Sequence, residues 1–62
     1  MKRRQLVRHI LEQGCVLVRE GARHSVYYNP NTGGTPALPR HTEVNDYLAR
    51  KICRDLGISQ LA

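Results

Sequence analysis

The sequence is poor in the residues that cross-link or anchor small proteins. It has no Trp, no Phe, three Tyr and only two Cys, and Cys15 and Cys53 lie far apart in the chain. Two distant cysteines without a signal peptide argue against a disulfide scaffold and against a Cys-rich zinc site. We therefore expect both thiols to be small buried hydrophobic groups in a reducing cytoplasm.

Long hydrophobic runs and metal-ligand clusters are also missing. No apolar segment approaches the roughly 20 residues that span a membrane, so a cytoplasmic protein with no membrane partner is expected. His9, His24 and His41 are widely spaced, and no Cys/His pair or HExxH motif accompanies them. The sequence thus predicts no metal site and no cofactor.

Acidic residues are scarce relative to basic ones. Ten Lys and Arg stand against five Asp and Glu, which gives a formal net charge of +5. This excess favours polyanionic partners through counterion release, although many small basic domains bind no nucleic acid. The 62 residues are expected to form one domain over residues 1–62, whose core supplies only about 3–5 kcal/mol.

Hydrophobic periodicity and turn residues predict five short elements in the order α-β-β-β-α. Pro36 and Pro39 cannot donate ladder hydrogen bonds, so the last strand should lie at a sheet edge. Gly14 and Gly57 are typical helix stops. The predicted elements are a helix at 2–13, a buried strand at 15–18, strands at 24–28 and 35–39, and a helix that begins at Asn45 or Asp46.

The fold class that follows is α+β. Two amphipathic helices can cover only one face of a three-stranded antiparallel sheet, so we expect both on the same side. One of Tyr27 and Tyr28 should enter the core, because consecutive strand residues point to opposite faces. This arrangement is that of the double-stranded-RNA-binding fold, although a fold alone does not establish an RNA ligand.

Four segments of the chain form a recognisable pattern in this order. They are the helix from Lys2 to Gly14, the turn and strand Gly21-Ala22-Arg23-His24, the segment Leu38-Pro39-Arg40-His41 and the helix from Leu48 to Ile58. Each motif is weak alone, but together they span nearly the whole chain. In this combination the sequence resembles the HicA toxin family of bacterial mRNA interferases.

The resemblance implies a toxin of a type II toxin–antitoxin system that cleaves mRNA. Its catalytic residue would be His24, the single histidine that follows the glycine turn at Gly21. It also implies a HicB-type antitoxin protein that covers the active site. Operator DNA would then be a partner only indirectly, through the antitoxin.

The chemistry of the residues agrees with this role. An imidazole titrates near neutral pH, so His24 can take a proton from a ribose 2′-hydroxyl. Attack of that oxygen on the adjacent phosphorus needs neither a metal nor a protein nucleophile. Arg23 and Arg40 are candidates to stabilise the developing charge. Strand alternation separates Arg23 from His24 unless the turn is twisted.

Other cationic positions extend the expected RNA surface. His41 could act as a second acid or orient a phosphate, or it could be a loop histidine that packs locally. His9, beside the apolar stripe of the first helix, is read as structural. The predicted RNA-binding residues are Lys2, Arg3, Arg4, Arg23, Arg40 and His41.

Two alternatives to an endoribonuclease stay open at this point. One is a catalytically silent RNA-binding module on the same fold, in which Arg and Lys do all the binding and His24 is incidental. The other is a structural or protein-interaction domain.

Overall fold

The structure is a computed structural model that describes residues 1–60. Two helices and three strands follow one another in the predicted order, so the α+β class is confirmed. The elements are α1 (Arg3–Glu12), β1 (Val16–Glu20), β2 (His24–Tyr28), β3 (Ala37–Pro39) and α2 (Asp46–Leu56).

The three strands form one antiparallel sheet with β2 in the centre. The strand order is β1-β2-β3, so β3 lies at an edge, as its prolines predict. In β2, Ser25 and Tyr27 are buried, whereas His24 is exposed and Val26 is half-buried. One face of the sheet, that of Ser25 and Tyr27, is therefore covered, and the face of His24 and Val26 is accessible to solvent.

The core lies on the Ser25 side of the sheet. Tyr27 and Leu38 belong to a single buried cluster that also contains residues of both helices, namely Leu6, Ile10, Ala49, Ile52, Cys53 and Leu56. Both helices thus cover this face, and the face with His24 stays open. Tyr27 is the tyrosine that enters the core, and Tyr28 is half-buried on the other side.

The expectation of a buried strand at residues 15–18 is wrong. Val16, Leu17 and Val18 are 46%, 45% and 53% exposed, and only Cys15, just before β1, is buried. An edge position alone does not explain this, because Leu38 of the other edge strand is fully buried. The difference is that no residue of β1 belongs to the buried cluster that the helices form with Tyr27 and Leu38. A short apolar run does not by itself distinguish a covered strand from an exposed strand.

An irregularity in the β1–β2 ladder changes which residues face the core. Leu17 pairs with Tyr27, but Arg19 pairs with Val26, so Val18 is an extra residue on the β1 side. In a regular ladder Arg19 would lie opposite Ser25 on the core face. Because directly paired residues share a face, this bulge moves Arg19 to the open face.

The ends of α2 follow the predicted signals. Asn45 is the N-cap, and its side-chain oxygen accepts a hydrogen bond of 2.8 Å from the backbone N–H of Leu48. Gly57 ends the helix in the left-handed conformation with φ of 71°. An isolated bridge between Lys2 and Glu43 ties the start of α1 to the segment before α2.

Candidate functional site

His24 is presented by a tight turn at the end of the β1–β2 hairpin. The backbone N–H of Gly21 donates a hydrogen bond of 2.8 Å to the carbonyl oxygen of His24. A Cβ atom on residue 21 would lie 3.0 Å from that oxygen, so a side chain there would crowd the turn. The absence of a side chain at Gly21 lets the turn close and places His24 at the first position of β2.

Four predicted site residues line one depression beside this turn. His24 lies opposite Pro39 in the β2–β3 ladder, and the backbone N–H of Arg40 donates to the carbonyl of Arg23 at 3.2 Å. These pairings bring the two loops together. The depression has a volume of about 440 Å³ and is lined by Ala22, Arg23, His24, Pro39, Arg40 and His41.

Arg23 and His24 share this depression although they are consecutive in sequence. Arg23 lies in the bend before β2 and not in the strand itself, so strand alternation does not apply to it. The structure therefore brings the predicted base and a predicted cation to the same surface. His41, whose role was open from sequence, faces this surface too.

Two further depressions adjoin the first through shared residues. One contains Arg40 together with Lys2, Arg3 and Arg4. The other contains His24 and Arg23 together with Arg19, Val26 and Ala37. The cations of the three depressions, which we call the basic track, are Lys2, Arg3, Arg4, Arg40, Arg23 and Arg19.

Three members of the basic track, Lys2, Arg3 and Arg40, already have partners, and Lys2 pairs with Glu43 at 3.7 Å. The Arg3 guanidinium donates to the carbonyl of Pro39 and to the hydroxyl of Ser25, both at 2.9 Å. Ser25, fully buried, in turn donates to the Glu20 carboxylate at 2.7 Å. Glu20 also pairs with Arg40. This chain of contacts fixes the geometry beneath the site and neutralises part of its charge.

The other arginines of the track are unneutralised. Among residues 1–60, the side chains of Arg4, Arg19 and Arg23 have no hydrogen-bond or ion-pair partner, and all three are exposed. Arg19 and Arg23 line the same depression as His24. The positive charge available to a ligand at His24 is therefore supplied by these two residues.

Sequence reasoning missed Arg19, Glu20 and Ser25. The bulge at Val18 reverses the faces of Arg19 and Glu20, so a regular alternation would have assigned each to the wrong side. Ser25 was assigned no role from sequence, whereas its hydroxyl joins Arg3 to Glu20. The only feature of the sequence that could have indicated these residues is the cluster of charged side chains around the glycine turn.

Cys15 and His9 lie outside the three depressions. Burial raises the pKa of the Cys15 thiol, which makes it a poor nucleophile at neutral pH. The His9 ring nitrogen Nε2 lies 2.7 Å from the carbonyl of Ser59. In the part of the chain that the structure describes, no three His, Cys, Asp or Glu residues are grouped as a metal site.

Neither α1 nor α2 is long and apolar enough to cross a bilayer, within residues 1–60.

Comparison with protein families identifies the family of this chain. A family model described as the HicA toxin of bacterial toxin–antitoxin systems matches residues 3–58, which is most of the 62-residue chain. No curated protein and no solved structure gives a significant match. The matched range includes both helices, the sheet and every residue of the basic track except Lys2.

Proposed function

The chain belongs to the HicA toxin family of bacterial toxin–antitoxin systems, and we propose on this premise that it is an endoribonuclease with His24 as its catalytic residue. As a family member it is a toxin with an antitoxin partner. The single observation that carries the proposed reaction is the setting of His24. This exposed imidazole lies on the open face of the sheet, in depressions lined by Arg23, Arg40 and Arg19.

The proposed reaction is cleavage of RNA by its own ribose. His24 accepts the proton of a 2′-hydroxyl, and the 2′-oxygen attacks the adjacent phosphorus. The bond from phosphorus to the 5′-oxygen breaks, and that oxygen takes a proton from His41 or from water. The products are a 2′,3′-cyclic phosphate and a 5′-hydroxyl end, so the nucleophile comes from the substrate itself.

The cations of the basic track bind the phosphates of the RNA. Charge that builds on the phosphorane is met by Arg23, which has no competing partner within residues 1–60. Arg40 is paired with Glu20 and contributes a weaker field. Lys2, Arg3 and Arg4 lie farther along the track, where they position the RNA backbone without reading its sequence.

The antitoxin is proposed to act by covering this surface. A HicB-type protein that buries His24 would exclude RNA from the open face. An acidic contact surface on the antitoxin would complement the basic track and speed the association. Contact of the toxin with operator DNA is then indirect, through the antitoxin.

The decisive experiment is His24→Ala. Loss of a general base typically lowers the rate by about 10²–10⁴, so we expect RNA cleavage to fall to background. His24 is exposed and lies outside the core, so the variant should keep the wild-type circular dichroism and melting temperature. The measurement is cleavage of a mixed-sequence RNA, with end-group analysis of the products.

Three controls accompany this variant. His9→Ala removes an imidazole from α1 and should leave the cleavage rate within a few fold. EDTA should not affect cleavage, and single-stranded DNA should bind without being cut because it has no 2′-hydroxyl. Undiminished cleavage by folded His24→Ala would refute the catalytic assignment. Retained RNA binding with no cleavage by either protein would favour the silent RNA-binding module.

A further inference from the structure

We propose that Arg19 is a phosphate-binding residue of the RNA site and holds the phosphate next to the one that is cut. This inference rests on the proposed function, because it takes His24 as the point of cleavage. No role was predicted for Arg19 from sequence, and its position follows from the bulge at Val18.

The bulge places Arg19 within reach of the reacting centre. Arg19 pairs with Val26, and His24 lies two residues from Val26 on the same face of β2. Diagonal neighbours of this kind are roughly 7–8 Å apart, a distance that a long side chain spans. Arg19 and His24 indeed line one depression. Without the extra residue, Arg19 would point to the core face.

The charge of Arg19 is available for a ligand. Its side chain is exposed and has no hydrogen-bond or ion-pair partner within residues 1–60. Arg40, by contrast, is paired with Glu20, and Arg3 is bound to Pro39 and Ser25. A guanidinium with open donors is suited to bidentate contact with a phosphate.

The surroundings of Arg19 favour a phosphodiester over other ligands. The depression that it shares with His24 is lined otherwise by Gly21, Ala22, Arg23, Val26 and Ala37, so no acidic side chain contributes to it. Glu20, the neighbour of Arg19, is turned to the opposite face, where it accepts from Ser25. The same bulge thus brings a cation to the depression that Arg19 shares with His24 and keeps the Glu20 carboxylate out of its lining.

The test measures binding apart from cleavage. A mixed-sequence single-stranded DNA offers the same phosphates but lacks the 2′-hydroxyl, so its affinity can be measured by fluorescence anisotropy with His24 intact. We expect Arg19→Gln to weaken DNA binding about tenfold. We also expect the slope of the logarithm of the association constant against the logarithm of the salt concentration to become smaller in magnitude by roughly 1. Arg19→Lys keeps the positive charge, so its salt dependence should stay close to that of the wild type. The loss should be equal for two unrelated sequences, since phosphate contacts do not read bases.

The matched control is Arg54→Gln, which removes the same charge from the exposed surface of α2, outside the three depressions. It should change the affinity by less than roughly twofold. Equal effects of Arg19→Gln and Arg54→Gln would overturn the inference, because the loss would then reflect net charge alone. That outcome is separate from the fate of the proposed function, which depends on His24→Ala.

With RNA as substrate, the two roles can be separated further. Arg19→Gln should raise KM more than it lowers kcat, because Arg19 holds a phosphate that does not react. A large fall in kcat with KM unchanged would contradict this assignment and place Arg19 at the reacting phosphate.

Discussion

At the scale of single residues, the charged side chains near His24 differ in what they already bind. Glu20 pairs with Arg40 and accepts from Ser25, and Ser25 accepts from Arg3. Arg19 and Arg23 have no such partners within residues 1–60. Glu20 therefore sets how much of the positive charge at this end of the sheet remains for a ligand.

Neutralising Glu20 should strengthen nucleic-acid binding. Glu20→Gln keeps an oxygen that can accept from Ser25, but it releases the Arg40 guanidinium and removes one negative charge. We expect affinity for single-stranded RNA to rise roughly twofold to fivefold at low salt, with the gain shrinking as salt screens it. Anisotropy titrations at two salt concentrations measure this change.

The control for this prediction is Asp55→Asn. Asp55 pairs with Lys51 on α2, so the substitution makes the same change in charge in another ion pair. A comparable rise in affinity for both variants, or no rise for Glu20→Gln, would show that the ion pair with Glu20 does not weaken the binding of RNA by Arg40.

At the scale of elements, α2 begins at a cap that the sequence itself specifies. Asn45→Ala removes the hydrogen bond to the Leu48 N–H and should lower the free energy of unfolding by about 1 kcal/mol. Asn31→Ala, in the exposed loop before β3, is the control and should stay within about 0.5 kcal/mol. Urea denaturation measures the free energy of unfolding of the two variants. Equal decreases in this free energy would mean that the cap contributes no measurable stability.

The elements also show how far the sequence alone leads. Both ends of α2 and the edge position of β3 were predictable because they depend on local chemistry, namely Asn45, Gly57 and two prolines. His24 and its cations could be named from the glycine turn and from resemblance. The exposure of β1 and the bulge at Val18 depend on which strands become neighbours, so no window of sequence contained them. Arg19 was missed for that reason.

At the scale of the whole molecule, one face of the sheet forms the core and the other presents the candidate site. The helices and the core lie on the Ser25 side, whereas Arg19 and His24 line a depression on the open face. The basic track continues from there through Arg40 to Lys2, Arg3 and Arg4 at the start of α1. Substitutions of Arg4, Arg19 and Arg23, which are exposed and have no side-chain partner within residues 1–60, should therefore affect binding with little loss of stability. Partners that inhibit the proposed reaction should approach from the same side as the RNA.

Hydrogen exchange with and without the antitoxin tests this division. We expect the complex to protect backbone amides of residues 21–28 and 37–41 and to abolish RNA cleavage. The association should slow as salt increases, because complementary charge speeds it. Amides on the outer side of α1 and α2 serve as the internal control and should exchange as before. Protection confined to the helices, with RNA still cleaved in the complex, would contradict inhibition by coverage.

The exposed edge strand has one more consequence, for the colloidal behaviour of the chain. Val16, Leu17 and Val18 are open to solvent on a strand with one unpaired side, and such a strand is a template on which another copy can add by backbone hydrogen bonding. The bulge at Val18 and the charges of Arg19 and Glu20 interrupt that template after three residues. We therefore expect aggregation through Val16, Leu17 and Val18, as well as toxicity, to limit the amount of this chain that a cell can hold without its partner.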